Sequence, residues 1–68
     1  MNNNTAAGFR GLREKSGLSV AALSRMIKTF ESSIKRYERG EREIPDEVME
    51  SVTIISQSVT KMELLLNG

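Results

Sequence analysis

The sequence predicts an all-α fold of four to five helices in a single domain, and three observations carry that expectation. Apolar residues recur three and four apart along most of the chain, which is the spacing of one helix face. Residues that start and stop helices stand at the ends of those stretches: Ser19 at a start, Gly17 and Gly40 at stops. From residue 48 onward, Val48, Val52, Ile55, Val59, Met62 and Leu66 are separated by 4, 3, 4, 3 and 4 residues. That alternation belongs to a helix packed against a partner helix.

The elements follow in order. "MNNN" (residues 1–4) is polar and without periodicity, so it is expected to fray as a disordered tail. Thr5 or Asn4 caps a first helix that runs to about Ser16 and buries Ala6, Phe9, Leu12 and Arg13. Gly17 stands where a left-handed residue ends a helix. Leu18 leads into Ser19, the cap of a second helix, "VAALSRMI", with an apolar stripe of Ala22, Leu23, Met26 and Ile27. "KT" links it to a third helix, from about Phe30 to Arg39, that turns Ile34 and Tyr37 inward and ends at Gly40.

"EREI" is a connector, because the residue before Pro45 avoids helical geometry. Asp46 is expected to cap the last element, residues 46–66, whose stripe Met49 and Leu65 widen. The run "SVTIISQSVT" is β-branched and rich in Ser and Thr, which lowers helix propensity. A break near Gln57–Ser58 would divide the element, hence four to five helices. No repeat and no long linker interrupts residues 1–68, so one domain is expected.

Composition narrows the chemistry. With 68 residues the chain buries little apolar surface, and with neither Cys nor His it lacks disulfides, thiolate nucleophiles and the commonest metal ligands. A domain without those staples is expected to gain stability by self-association. No apolar run approaches a membrane span, and "MNNNT" lacks the regions of a signal peptide, which implies a cytoplasmic protein. The net charge of +1 conceals a split. Residues 1–42 hold nine Lys and Arg against four acids, a balance of +5, whereas residues 43–68 hold Lys61 against five acids, a balance of −4. Such a split suggests a basic half for a polyanion and an acidic half for something else.

The cations gather at "SSIKRYERG", residues 32–40, where Lys35, Arg36 and Arg39 surround the apolar pair Ile34 and Tyr37. Two helices joined by a few residues form a helix-turn-helix, whose second helix enters the DNA major groove. "GLSVAALSRMIKTFESSIKRYERG", residues 17–40, resembles the Cro and phage-repressor (XRE-like) helix-turn-helix family without a gap. Gly17, Leu18, Ser19, Leu23, Ile27, Ser32, Ile34, Arg36, Tyr37, Glu38, Arg39 and Gly40 carry the match, and "LRE" at 12–14 resembles the end of that family's first helix. The resemblance covers about residues 9–45 and implies a lambda-repressor-like domain with DNA-binding helices at 5–45 and a C-terminal dimerisation helix at 46–66. Three positions depart from the family pattern. Val20 stands where a phosphate-touching Gln is frequent, Lys28 replaces the turn glycine, and Phe30 replaces the Ser or Thr cap, leaving Thr29 to take that role.

The resemblance implies roles for particular residues. Arg13 and Glu38 stand where the family pairs charges between the first and third helices. The base-reading residues are expected to be Glu31, Ser32, Lys35 and Arg36, with Arg36 able to make a bidentate contact to guanine O6 and N7. Ser19, Lys28, Ser33, Arg39 and Arg42 are expected on phosphates, aided by backbone N–H groups at Ser19 and Val20. Val52, Ile55, Val59, Met62, Leu65 and Leu66 are expected at the dimer interface. The bland alternative for the cations is a solvated face, and for the last helix a cover for its own domain, which Val48 and Val52 are expected to provide beside Ile44.

Together these readings imply a homodimeric transcriptional regulator, most simply an autorepressor on a palindromic operator in double-stranded DNA. The family and size suggest a phage or mobile-element source, and "YERGEREIPDEV" resembles anti-CRISPR-associated regulators. Two rivals stand beside it: the antitoxin of a toxin–antitoxin pair, and a protein-interaction module using the same fold without DNA. Neither catalysis, cofactor, metal, membrane nor small-molecule substrate is expected, since no base, metal cluster or phosphate-cradling glycine loop accompanies the serines and carboxylates.

Overall fold

Four helices account for most of residues 4–67, the part of the chain that the computed structural model describes: α1, Ala6–Lys15; α2, Val20–Ile27; α3, Glu31–Glu38; and α4, Asp46–Asn67. No strand occurs among the described residues. The fold is all-α, a helix-turn-helix body followed by one long C-terminal helix. Residues 1–3 of the expected tail lie outside the described residues. Asn4 is described and departs from the frayed-tail expectation. Its side-chain amide donates to the Ile44 carbonyl at 3.1 Å and to Asp46 Oδ1 at 2.6 Å, tying the start of the chain to the entrance of α4.

Local chemistry sets the helix starts. Thr5 Oγ1 accepts from the Gly8 N–H at 2.9 Å, and Ser19 Oγ accepts from the Ala22 N–H at 3.1 Å, as expected of caps. The start of α3 is different. Phe30 occupies the capping position with no side-chain hydrogen bond, and Thr29 does not replace it, because its hydroxyl donates to the Ile27 carbonyl at 3.4 Å. At α4 the Pro45 carbonyl accepts from Met49 N–H at 3.1 Å. Asp46 therefore lies inside the first turn rather than capping it, where its negative charge still suits the helix N-terminus.

The first three helices stop by one device, in which two N–H groups fold back onto carbonyls of the last turn around a left-handed residue. After α1 the Gly17 N–H reaches the Glu14 carbonyl at 3.0 Å and the Leu18 N–H reaches that of Arg13 at 3.4 Å, with Gly17 at φ +72°. After α3 the Gly40 and Glu41 N–H groups reach Tyr37 and Arg36 at 3.2 and 2.9 Å, with Gly40 at φ +74°. After α2 the Thr29 N–H reaches the Ser24 carbonyl at 3.0 Å, and the left-handed residue is Lys28, at φ 54° and ψ 46°. A side chain in that conformation costs roughly 1–2 kcal/mol.

Every helix contributes to one core: Phe9 from α1, Leu23 from α2, Ile34 and Tyr37 from α3, Ile44 from the connector and Val52 from α4 are all buried. The Phe9 and Tyr37 rings meet edge to face, 5.8 Å apart at 70°, an arrangement that adds to their burial. The stripe of α2 is narrower than expected. Leu23 is buried and Ala22 and Ile27 are half-buried, but Met26 is 56% exposed.

Helix α4 is unbroken at Gln57–Ser58. The hydroxyls that lowered its propensity are absorbed along it: Ser51, Thr53 and Thr60 donate to carbonyls four residues back, at 2.9, 2.7 and 3.1 Å. Packing of the buried Val52 and Ser56 then outweighs propensity. Val52 was expected both at a dimer interface and in the cover of its own domain; it has no exposed surface and belongs to that core, with Phe9, Leu23 and Ile34. At 22 residues α4 is about 33 Å long, close to the longest dimension of the molecule, 40 Å. Its residues 61–66 are all exposed.

Candidate nucleic-acid interface

The site begins with what holds α3 in place. On its inner side Ile34 and Tyr37 are buried. On its flank Glu38 meets Arg13 of α1 in a two-pronged pair, Arg13 Nε to Glu38 Oε2 at 2.6 Å and an Arg13 terminal nitrogen to Oε1 at 3.0 Å. The other terminal nitrogen donates to the Leu18 carbonyl at 2.8 Å. The two side chains are only 15% and 11% exposed. Hydrogen bonding to Glu38, opposed by burial and helped by the carboxylate charges of Glu38 and Glu14, raises the Arg13 pKa. One arginine thus locks α1, the start of α2 and α3 together, where the family resemblance placed the pair.

The outer side of α3 is a continuous polar surface. Glu31, Ser32, Lys35, Arg36 and Arg39 are all exposed. At 3.6 residues per turn they fill one arc of about 140°, opposite Ile34 and Tyr37. All four residues expected to read bases therefore lie together on this arc.

The residues expected on phosphates surround it less evenly. Arg39 continues the arc, while Lys28 is exposed in the turn just before α3. Arg42 is exposed but held: one terminal nitrogen donates to Ser33 Oγ at 3.3 Å, and its guanidinium lies 5.9 Å from the centre of the Tyr37 ring. Ser33 is half-buried and acts first as the acceptor for Arg42. Ser19 is exposed with its oxygen engaged as a cap, which leaves its proton to donate outward.

Sequence reasoning assigned no contact role to Phe30. The structure leaves it 83% exposed at the N-cap of α3, just before Glu31. The readable signal was an aromatic residue where a capping side chain belongs.

The six residues expected at a dimer interface divide. Val52 is core, as described above. Ile55 packs on the core and Val59 is half-buried. Met62, Leu65 and Leu66 are 61%, 76% and 82% exposed. Leu64 and Ile54, which the 4-3 spacing passed over, are exposed as well. Among the described residues no helix is long and apolar enough to cross a membrane, and no cluster of His, Cys, Asp and Glu suits a metal ion.

Comparison with known proteins adds one finding. A family described as a helix-turn-helix domain matches residues 6–53, from the first residue of α1 to the buried part of α4. No curated protein and no solved structure matches the chain. The matched segment contains α2, the Lys28 turn and α3 with its outward arc, and the Arg13–Glu38 pair that fixes them. The chain belongs to the helix-turn-helix domain family, in its Cro and XRE-like form, and its body is that of a DNA-binding regulator.

Proposed function

We propose that this chain is a homodimeric, sequence-specific transcriptional regulator that represses by occupying an inverted repeat within a promoter. The observation that carries the reading is the arc of Glu31, Ser32, Lys35, Arg36 and Arg39 on a helix whose other side is fixed in the core. In a helix-turn-helix the N-terminal part of such a helix meets base edges in the major groove. Arg36 then pairs with guanine, Ser32 and Lys35 serve neighbouring bases, and Glu31 accepts from cytosine N4 while discouraging misplaced phosphate. Lys28, Arg39, Arg42, Ser19 and Ser33 set the register on the backbone. Arg42, already aligned by Ser33 and Tyr37, loses little freedom on binding.

One such domain spans only a few base pairs, so selectivity calls for a second copy. Met62, Leu65 and Leu66 expose apolar surface beyond the body, which supports self-association centred there, with Val59 at its margin. An origin in a phage or mobile element, kinship with anti-CRISPR-associated regulators and a cytoplasmic location complete the reading.

Selection of bound sites from random duplex DNA tests it. The expected product is an inverted repeat whose half-sites lie about one helical turn apart. Recovery of no preferred sequence would overturn the regulator reading. An antitoxin reading is favoured by the same exposed leucines, which would then cover a toxin. Sedimentation of the purified chain separates the two, because a self-associating end gives a dimer without any other protein.

A further inference from the structure

We propose that Phe30 is itself a base-reading residue, its ring covering the C5-methyl group of a thymine at one edge of each half-site; this rests on the reading of α3 as the helix that enters the major groove.

The position breaks two local rules at once. A capping Ser, Thr, Asp or Asn would satisfy an N–H of the first turn, whereas Phe30 makes no side-chain bond there. An aromatic ring is normally buried for its area, whereas Phe30 is 83% exposed. Nothing in the fold recovers either loss, since the core closes without it. Positions that violate local preferences without internal compensation are the ones where function is expected.

The surroundings indicate what the ring meets. Ser24, Lys28, Glu31 and Ser32 border the shallow depression beside it, all polar or charged. A protein partner would be signalled by a contiguous apolar patch; in this depression Phe30 is the one apolar side chain, bordered by hydrogen-bonding groups and a cation. The major groove has that complement, with polar base edges, flanking phosphates and a single apolar feature, the thymine methyl. Phe30 borders the same depression as Glu31 and Ser32 at the helix end that approaches the bases, which puts its ring within reach of a base pair beside theirs.

The test uses the site selected by the wild-type protein, with each thymine replaced in turn by deoxyuracil, which removes only the methyl group. At one position per half-site the wild type should bind about fourfold more weakly, and about fifteenfold when both half-sites are changed, the value of one buried methyl each. Phe30→Ala and Phe30→Ser should bind the thymine and uracil forms alike. Phe30→Ser also supplies a capping hydroxyl, so its Tm should rise by about 4 °C or more while methyl discrimination disappears. A wild type indifferent to every methyl, discrimination that survives in Phe30→Ala, or a lower Tm for Phe30→Ser would each overturn the inference. Should the wild type select a site yet ignore every methyl, Phe30 alone is misread; should it select no site, the regulator reading fails and takes this one with it.

Discussion

Helix α3 and the end of α4 are both surface, and they are surface for opposite reasons. The outward arc of α3 is polar and charged, so it costs nothing in water and is complete as it stands. At the end of α4, Met62, Leu64, Leu65 and Leu66 are 61–82% exposed, and they gain free energy only when something covers them. The first surface is backed by buried Ile34 and Tyr37, whereas the second has no body behind it. The contrast teaches that a small domain can separate two kinds of surface along the chain: a rigid polar face that water satisfies, and an apolar face that gains free energy only when covered.

The largest effect should come from removing what makes α3 rigid. Arg13→Ala leaves the Glu38 carboxylate, 11% exposed, without its partner. Breaking a buried pair in this way costs about 3–5 kcal/mol, a large share of the stability of a domain this small. Thermal or urea unfolding should show the transition shifted far down or lost. A loss under about 1 kcal/mol would put the pair among ordinary surface charges. The pH dependence has a defined sign. Because the folded-state pKa of Arg13 is raised, titration of the arginine itself takes nothing from the pair at neutral pH and removes it only as pH climbs far into the alkaline range.

Next comes the other surface. Leu65→Asp, at a position 76% exposed, should leave the body folded and, if the proposed dimer forms through the end of α4, give a monomer by sedimentation. Affinity for the inverted repeat should fall by about 10²-fold as the two half-sites cease to be bound together. Val52→Asp provides the contrast, because it buries a charge in the core and should unfold the protein instead. An unchanged dimer in Leu65→Asp would move self-association away from the end of α4.

Much of this comparison was legible before any coordinates, and the limits are physical. The helix boundaries of α1 and α2 were readable because Thr5, Ser19 and Gly17 each have one local use. The Arg13–Glu38 pair was not visible in spacing, since its members are 25 residues apart, and only the family resemblance placed them together. The 4-3 repeat of α4 marked an apolar stripe, of which Val52 is buried, Val48, Ile55 and Val59 are half-buried and Met62 and Leu66 are exposed, so the spacing alone did not say where the cover ends. Along one stripe Val52 meets its own core while Met62 and Leu66 overhang it, a distinction that depends on where the body ends. Phe30 lay at a known departure from a capping pattern, yet its exposure required the turn at Lys28 to be built.

Within the arc of α3 the comparison can be sharpened residue by residue. Arg36→Ala should cost about 1–3 kcal/mol against the preferred site and relax selection at a single base pair, as selection repeated with the variant would reveal. Its effect on stability should be slight, since the side chain is exposed. An equal loss on every sequence would reassign Arg36 to the phosphates.

The smallest effect is the most diagnostic, because its two readouts move in opposite directions. Lys28 holds a left-handed conformation that glycine adopts without strain, so Lys28→Gly relieves roughly 1–2 kcal/mol in the folded state. Glycine returns part of that gain by loosening the unfolded chain, leaving a net stabilisation of about 0.5–1 kcal/mol. The same change deletes a cation proposed to face phosphate. Binding should therefore weaken on all sequences alike, and the slope of log affinity against log salt should become shallower by about 0.9 for each protomer. A more stable variant with an unchanged salt slope would mean that Lys28 closes the turn and does nothing else. A parallel fall in stability and affinity would mean that the left-handed lysine is held by contacts the turn needs. Stabilisation together with a shallower slope would show strain kept at a turn because its side chain is needed outside the fold.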